Sequence, residues 1–232
     1  MNYTLVILGV ILLIVIYILY KVITEKGKVV SKKVDLSETN SPVSYSDLNS
    51  PKAARFCFSV WAYVESFTDA PMTLVKVNRD TSDSPTTFFQ LDVSGGPTLK
   101  YTVLTGTDSG DVDVTKEIMP NFPLQKWVCI MVSFDNKVVD LYIDGKLVRS
   151  QQLENSPKAT DKNHVIKFPP GGANKGYLAK FERLTSPMDP ATAWNKYMEG
   201  NGGNYFSRLL SQYGASLTLT KDDLDLRQFT LF

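Results

Sequence analysis

Residues Tyr3 to Tyr20 read YTLVILGVILLIVIYILY, an apolar run with no charge before Lys21. Eighteen residues in a helix rising 1.5 Å each reach about 27 Å, close to the hydrocarbon thickness of a bilayer. Gly9 and the β-branched residues would weaken such a helix in water, but in lipid the backbone must satisfy its own hydrogen bonds, so helix is expected. No polar face appears at any period, which argues against a core helix of a globular domain. A cleaved signal peptide fits poorly. The run is long for an h-region, no positive charge precedes it, and KVITEKGKVV follows instead of a small-residue cleavage site. The segment is therefore expected to be an uncleaved anchor over residues 1–23. Leu5, Ile7, Leu12 and Ile16 would face lipid, and Tyr3, Tyr17 and Tyr20 would sit near its interfaces.

The flanks predict its orientation. No Lys or Arg precedes the run, whereas Lys21, Lys26, Lys28, Lys32 and Lys33 follow it, interrupted only by Glu25. The positive-inside rule then places the body on the cytosolic side, and the same lysines can meet anionic headgroups. Residues 24–54 read as this basic juxtamembrane segment followed by a Ser-, Asn-, Pro- and Asp-rich linker or loosely held arm lying over the domain.

From Arg55 the apolar pattern changes to period two. In RFCFSVWAYV both alternate sets are largely apolar, so this strand is expected to be covered on both faces. Further strands are expected over 72–77, 87–93, 99–105, 111–118, 126–134 and 138–145. Between them lie turn residues such as Gly95-Gly96-Pro97 and Asp135-Asn136. Asp144-Gly145 between YI and KLV predicts a hairpin whose turn needs positive φ. Short strands at this spacing predict a mainly β protein, an antiparallel sandwich of two sheets.

Composition closes several routes. Twenty-five basic and twenty-four acidic residues leave a net charge of +1, so no basic field points to nucleic acid. Two cysteines, Cys57 and Cys129, and one histidine, His164, exclude a Cys/His zinc cluster and a disulfide framework. The cysteines sit in strand-like runs and are expected to be buried, reduced thiols. PPGGANKG (169–176) lacks the Gly-Lys-Ser/Thr ending of a phosphate loop and reads as a surface loop. Cofactors are accordingly expected to be none.

FCFSVWAYV, KWVCIMVSFDNKVVDLYIDGKLV and GYLAKFERLTSPMDPATAWNKYMEG together resemble the concanavalin A-like lectin/glucanase fold, and within it the laminin-G-like jelly roll. Trp61, Trp127, Asp135, Tyr142, Asp144, Gly145 and Gly176 stand at the matching places, and the resemblance covers roughly residues 55–200. It implies a β-sandwich that binds carbohydrate or protein, or serves as a structural module. The N-terminal anchor joined to such a domain, with the ending GNGGNYF…LDLRQFTLF, also resembles membrane-associated minor capsid proteins of large double-stranded DNA viruses with an internal lipid layer.

Since the fold includes glycosidases, the acids Asp111, Asp113 and Glu117 on one face of a strand need weighing. Their spacing departs from the Glu-x-Asp-x-x-Glu and Glu-x-Asp-x-Glu of the resembling glucanases. A solvated acidic face, with Val112 and Val114 turned inward, is the expectation instead. Calcium, which the resemblance makes conceivable, would use the oxygens of loops 78–83 and 108–113, whose spacing matches no defined calcium loop. Beyond the resembling region, residues 201–232 form an extension. Tyr205, Phe206, Leu209, Leu210 and Tyr213 have amphipathic-helix spacing and are candidates for docking a partner chain or the domain itself. SLTLT and LDLRQFTLF read as strands.

Two functions are compatible with these features. One is a non-enzymatic, membrane-anchored adaptor linking a bilayer to a protein layer, as in a minor capsid protein in a virion's internal membrane. The alternative is a membrane-anchored lectin-like module that binds glycans. An exposed aromatic beside paired polar residues on one loop edge would favour the second.

Overall fold

The computed structural model describes residues 8–17, 29–44, 55–68, 70–79, 87–107, 110–158, 164–169, 174–201, 216–221 and 224–230. Two six-stranded antiparallel sheets form a sandwich. The first runs β1 (Val29–Asp35), β12 (Lys175–Leu184), β3 (Arg55–Ser66), β8 (Trp127–Asp135), β9 (Val138–Ile143) and β10 (Lys146–Gln152). The second runs β2 (Val43–Ser44), β11 (His164–Lys167), β4 (Met72–Arg79), β5 (Thr87–Val93), β6 (Leu99–Thr107) and β7 (Gly110–Met119). A separate hairpin pairs β13 (Ser216–Lys221) with β14 (Leu224–Thr230), as the alternation in that stretch predicts.

The core lies between the sheets. Phe56, Phe58, Val60, Ala62 and Val64 of β3 point into it, facing Phe89, Leu91, Tyr101 and Val103 of the other sheet. Phe134 is its aromatic centre, with ring centroids of Phe56, Phe89 and Tyr101 at 4.8, 6.1 and 6.2 Å. Burial pushes the Tyr101 phenol up to about 12. Its hydroxyl is 3.0 Å from Gln151 Oε1.

The opposite face of β3 is covered too, as its double apolar pattern requires. Cys57, Trp61, Cys129, Met131 and Tyr142 form a second cluster under α2 (Pro190–Met198). The helix starts where Asp189 Oδ1 accepts from the backbone N–H groups of Ala191 and Thr192, both at 3.0 Å, with Pro190 at the first helical position. Tyr197 stacks on Trp61 with centroids 5.5 Å apart. Tyr142 donates its hydroxyl to the Met188 carbonyl, and Ser133 Oγ accepts from the Met188 N–H. Both thiols are free and buried. Burial raises the pKa of each, that of Cys129 to about 12, with Asp144 adding to it.

The Asp144-Gly145 turn has φ of 49° and 75°, the positive pair its sequence predicts. A Cβ on Gly145 would come 2.9 Å from Tyr197 Cβ, so this glycine also lets α2 lie close. On β12, a Cβ on Gly176 would meet the Tyr63 carbonyl at 2.6 Å, which explains the glycine at that strand's start.

Charge pins the helix to the sheet. Lys196 Nζ is 2.7 Å from buried Glu182 Oε2 and 2.9 Å from Glu199 Oε2, and Lys180 Nζ reaches the same Glu199 oxygen at 2.9 Å. Burial pushes the Glu199 carboxyl up, but the two lysines outweigh it and hold it below its ordinary 4.5. A group held low in the folded state stabilises above its unfolded value, and that contribution is lost as pH falls through the folded one. Acidification below about pH 4.5 should therefore loosen α2 before the core opens. The check is near-ultraviolet circular dichroism of the Trp61–Tyr197 stack. A signal unchanged to pH 3, or one lost only with the whole sheet signal, would contradict this.

Three expectations need correction. The segment expected to be a linker supplies two edge strands: β1 pairs with β12, and β2 with β11. Lys33, expected to be a juxtamembrane charge, lies in β1. Val112, expected to face inward, is 46% exposed on edge strand β7, although Val114 does pack on the core. Residues 8–17 are helical (α1), with Leu8, Leu12, Ile16 and Tyr17 all exposed. Ten residues rise only about 15 Å, and among the described residues no helix is long and apolar enough to cross a membrane. Tyr3, Leu5, Ile7, Tyr20, Lys21, Lys26 and Lys28 lie outside the described residues, as do Tyr205, Phe206, Leu209, Leu210 and Tyr213. Lys32 falls within β1.

Candidate binding cleft

Outside the sandwich, α2 covers only part of the first sheet. Along β3 the outward residues run Cys57, Ser59, Trp61, Tyr63, Glu65, passing from buried under the helix to exposed beyond it. The row through Trp61 pairs with Cys129 and Ala179 and is covered. The next row, Asp35, Tyr177, Tyr63 and Trp127 across β1, β12, β3 and β8, emerges into solvent. Cross-strand neighbours on one face stand about 4.5–5.5 Å apart, so three aromatic residues in register must touch. Their rings do so. The Tyr63 centroid is 5.5 Å from that of Trp127 and 6.2 Å from that of Tyr177, with planes tilted by 48° and 45°.

This row floors an open cleft of about 520 Å3 lined by Lys33, Tyr63, Glu65, Gln125, Trp127 and Tyr177. Lys33 Nζ lies 4.4 Å from the Tyr177 ring centroid, a cation–π contact. Gln125 is held with φ of 55°, and its backbone N–H donates to the Val64 carbonyl at 2.7 Å, fixing the rim beside Glu65. Among the described residues, the side-chain polar atoms of all six make no intramolecular hydrogen bond or ion pair. Aromatic faces beside uncommitted donors and acceptors of both signs suit a ligand with flat apolar patches and many hydroxyls.

The outer face of the second sheet is polar in a different way. Gln90 Nε2 donates to both Asp92 oxygens at 3.0 and 2.8 Å, and the Thr102 and Thr115 hydroxyls bond each other at 2.8 Å. Its groups satisfy one another. Burial raises the Asp92 pKa despite those donors.

The other sequence candidates do not gather at the cleft. Asp111, Asp113 and Glu117 stand on edge strand β7, where Lys158 Nζ contacts both Asp111 oxygens at 2.6 Å and Arg149 lies 3.9 Å from Glu117. Among the described residues no three His, Cys, Asp or Glu side chains are grouped to hold a metal ion. Residues 80–83 and 108–109 of the two loops weighed for calcium lie outside them. His164 is buried against the Phe88 ring, and Asn174 of the glycine-rich loop clips that loop to the Ala70 carbonyl. Sequence reasoning marked Trp127 and Lys33 for other reasons and passed over Tyr63, Glu65, Gln125 and Tyr177. Period-two alternation placed Tyr63 and Trp127 each on a face of its own strand, but nothing in the sequence aligned them with Tyr177.

A two-sheet antiparallel sandwich with an aromatic cleft on one outer face defines a β-sandwich architecture. The chain belongs to the concanavalin A-like lectin/glucanases superfamily, whose model matches residues 37–201. That match takes in β2, which the sequence reading left in the linker. No curated protein matches this sequence. Among solved structures, the chain is similar to the botulinum neurotoxin serotype D ligand binding domain in complex with N-acetylneuraminic acid. The TM-score is 0.54 at 13% identity, covering 74% of this chain and 43% of that one. It is also similar to the receptor binding domain of the botulinum neurotoxin C/D mosaic serotype, with a TM-score of 0.54 at 12% identity, covering 74% and 43%. The chain thus spans less than half the length of these relatives, and the likeness is one of fold.

Proposed function

We propose that the domain is a non-enzymatic, carbohydrate-binding module that takes a sugar on the Trp127–Tyr63–Tyr177 row. The observation that carries this reading is the combination of three touching rings with polar rim groups that have no partner among the described residues. The C–H-bearing face of a pyranose stacks on such rings, while its hydroxyls take the hydrogen bonds that Lys33, Glu65 and Gln125 leave open. The family and the sialic-acid complex of one distant relative give the reading modest support. Catalysis is left out, because the acids of β7 face solvent on an edge strand instead of flanking a cleft. The test is a glycan array probed with the full chain in detergent, with calcium and with chelator. Binding that survives chelator is expected. Binding in neither condition, or only with calcium, would overturn the reading.

The apolar run from Tyr3 to Tyr20 favours a second reading, in which the chain is anchored by that segment and links a bilayer to a protein layer, such as a capsid. Under it the body lies on the cytosolic side, where glycans are scarce, so sidedness separates the two readings. Membranes bearing the full chain should retain it through alkaline carbonate washing. Release into the wash would remove the anchor from both.

A further inference from the structure

We propose that the cleft selects sugars bearing a carboxylate, with Lys33 as the residue that sets this preference; the inference rests on the carbohydrate reading above. Lys33 stands opposite Ala179 in the β1–β12 pairing, which fixes its outward direction beside the aromatic row. Its ammonium rests 4.4 Å from the Tyr177 ring centroid. A ring face attracts a cation but cannot neutralise it, and among the described residues Lys33 has no ion-pair partner. The charge is therefore held at the cleft's edge strand and left available to an anion.

Asp35, in the aromatic row, and Glu65, in the cleft lining, do not compete for it. Asp35 Oδ1 is turned back to accept from the Ser37 N–H at 2.8 Å. Glu65 stands two strands away on β3, on the far side of the Tyr177 ring from the row that holds Lys33. An acidic sugar laid on Tyr63 and Trp127 would meet attraction at the Lys33 end and repulsion at the Glu65 end. The cleft thus orients it with its carboxylate toward β1 and leaves Glu65 and Gln125 for hydroxyl groups.

The test compares two ligands that differ only at C6, methyl β-D-glucuronide and methyl β-D-glucoside, titrated into the full chain in neutral detergent. The glucuronide should bind about tenfold tighter, the worth of one charge-assisted hydrogen bond at an exposed site, and the gap should narrow with salt. Lys33→Met, which keeps the apolar stem over Tyr177, should erase the gap by weakening the glucuronide more than the glucoside, whereas Lys33→Arg should restore it. Equal binding of the two sugars by the unaltered chain, or a gap that survives Lys33→Met, would overturn the role of Lys33 while leaving a sugar site in place. Binding of neither, nor of N-acetylneuraminic acid, would overturn this inference and the carbohydrate reading together.

Discussion

Trp127→Ala should weaken binding of a neutral pyranoside about 30-fold, the effect of removing a central aromatic anchor worth about 2 kcal/mol. Trp127 opens β8 and closes the aromatic row, so its loss leaves Tyr63 without the neighbour 5.5 Å away and takes out one of three stacking surfaces. The strand itself should stay put. The β3–β8 pairing runs through nine residue pairs from Arg55↔Asp135 to Tyr63↔Trp127, and the truncated side chain, half-buried at the edge of the cluster under α2, lies at the last of them. Trp127→Phe should retain most of the affinity, because a smaller ring still offers its face. Calorimetric titration of the three proteins reads the difference, with thermal melting as the folding control. Unchanged affinity in the alanine variant, with the melting curve intact, would move the sugar away from this row.

Phe134→Ala should cost about 3–5 kcal/mol, the range for emptying a large aromatic from a packed core. Phe134 is fully buried, and Phe56, Phe89 and Tyr101 reach it from both sheets. No single neighbour can swing in to fill the space, since each is fixed in its own strand. A domain of this size should melt on the order of 10 °C lower. The cleft, on the far side of the first sheet, should bind with little change in affinity at temperatures where the variant is folded. A shift below 2 °C would show that the two sheets collapse into the gap.

Much of this architecture was legible in particular residues. The double apolar pattern of Arg55 to Val64 predicted a strand covered on both sides, and its covers are the second sheet and α2. Asp144-Gly145 predicted a positive-φ turn, and the turn has it. Val29–Asp35 was misread because VVSKKVD carries two adjacent lysines. An edge strand tolerates and even favours lysine, so charge that resembled a membrane flank also suits the rim of a sheet.

The candidate site was legible only in pieces. Alternation assigns Tyr63 and Trp127 to a face of their own strands, but which strands become neighbours depends on long-range pairing. Lys33, Tyr63, Trp127 and Tyr177 come from β1, β3, β8 and β12, and they share one face only because the sheet order is β1-β12-β3-β8. The position of α2 decides the rest. Where the helix lies, Trp61 and Cys129 are core; one row farther along the strands, the rings of Tyr63, Trp127 and Tyr177 are only half-buried, with Trp127 still packed on the edge of that cluster. Local periodicity and turn chemistry set the strands, the two-sided burial and the hairpins. Only the packed fold decided which aromatic row stays uncovered, because that depends on where a short helix ends over a sheet assembled from distant segments.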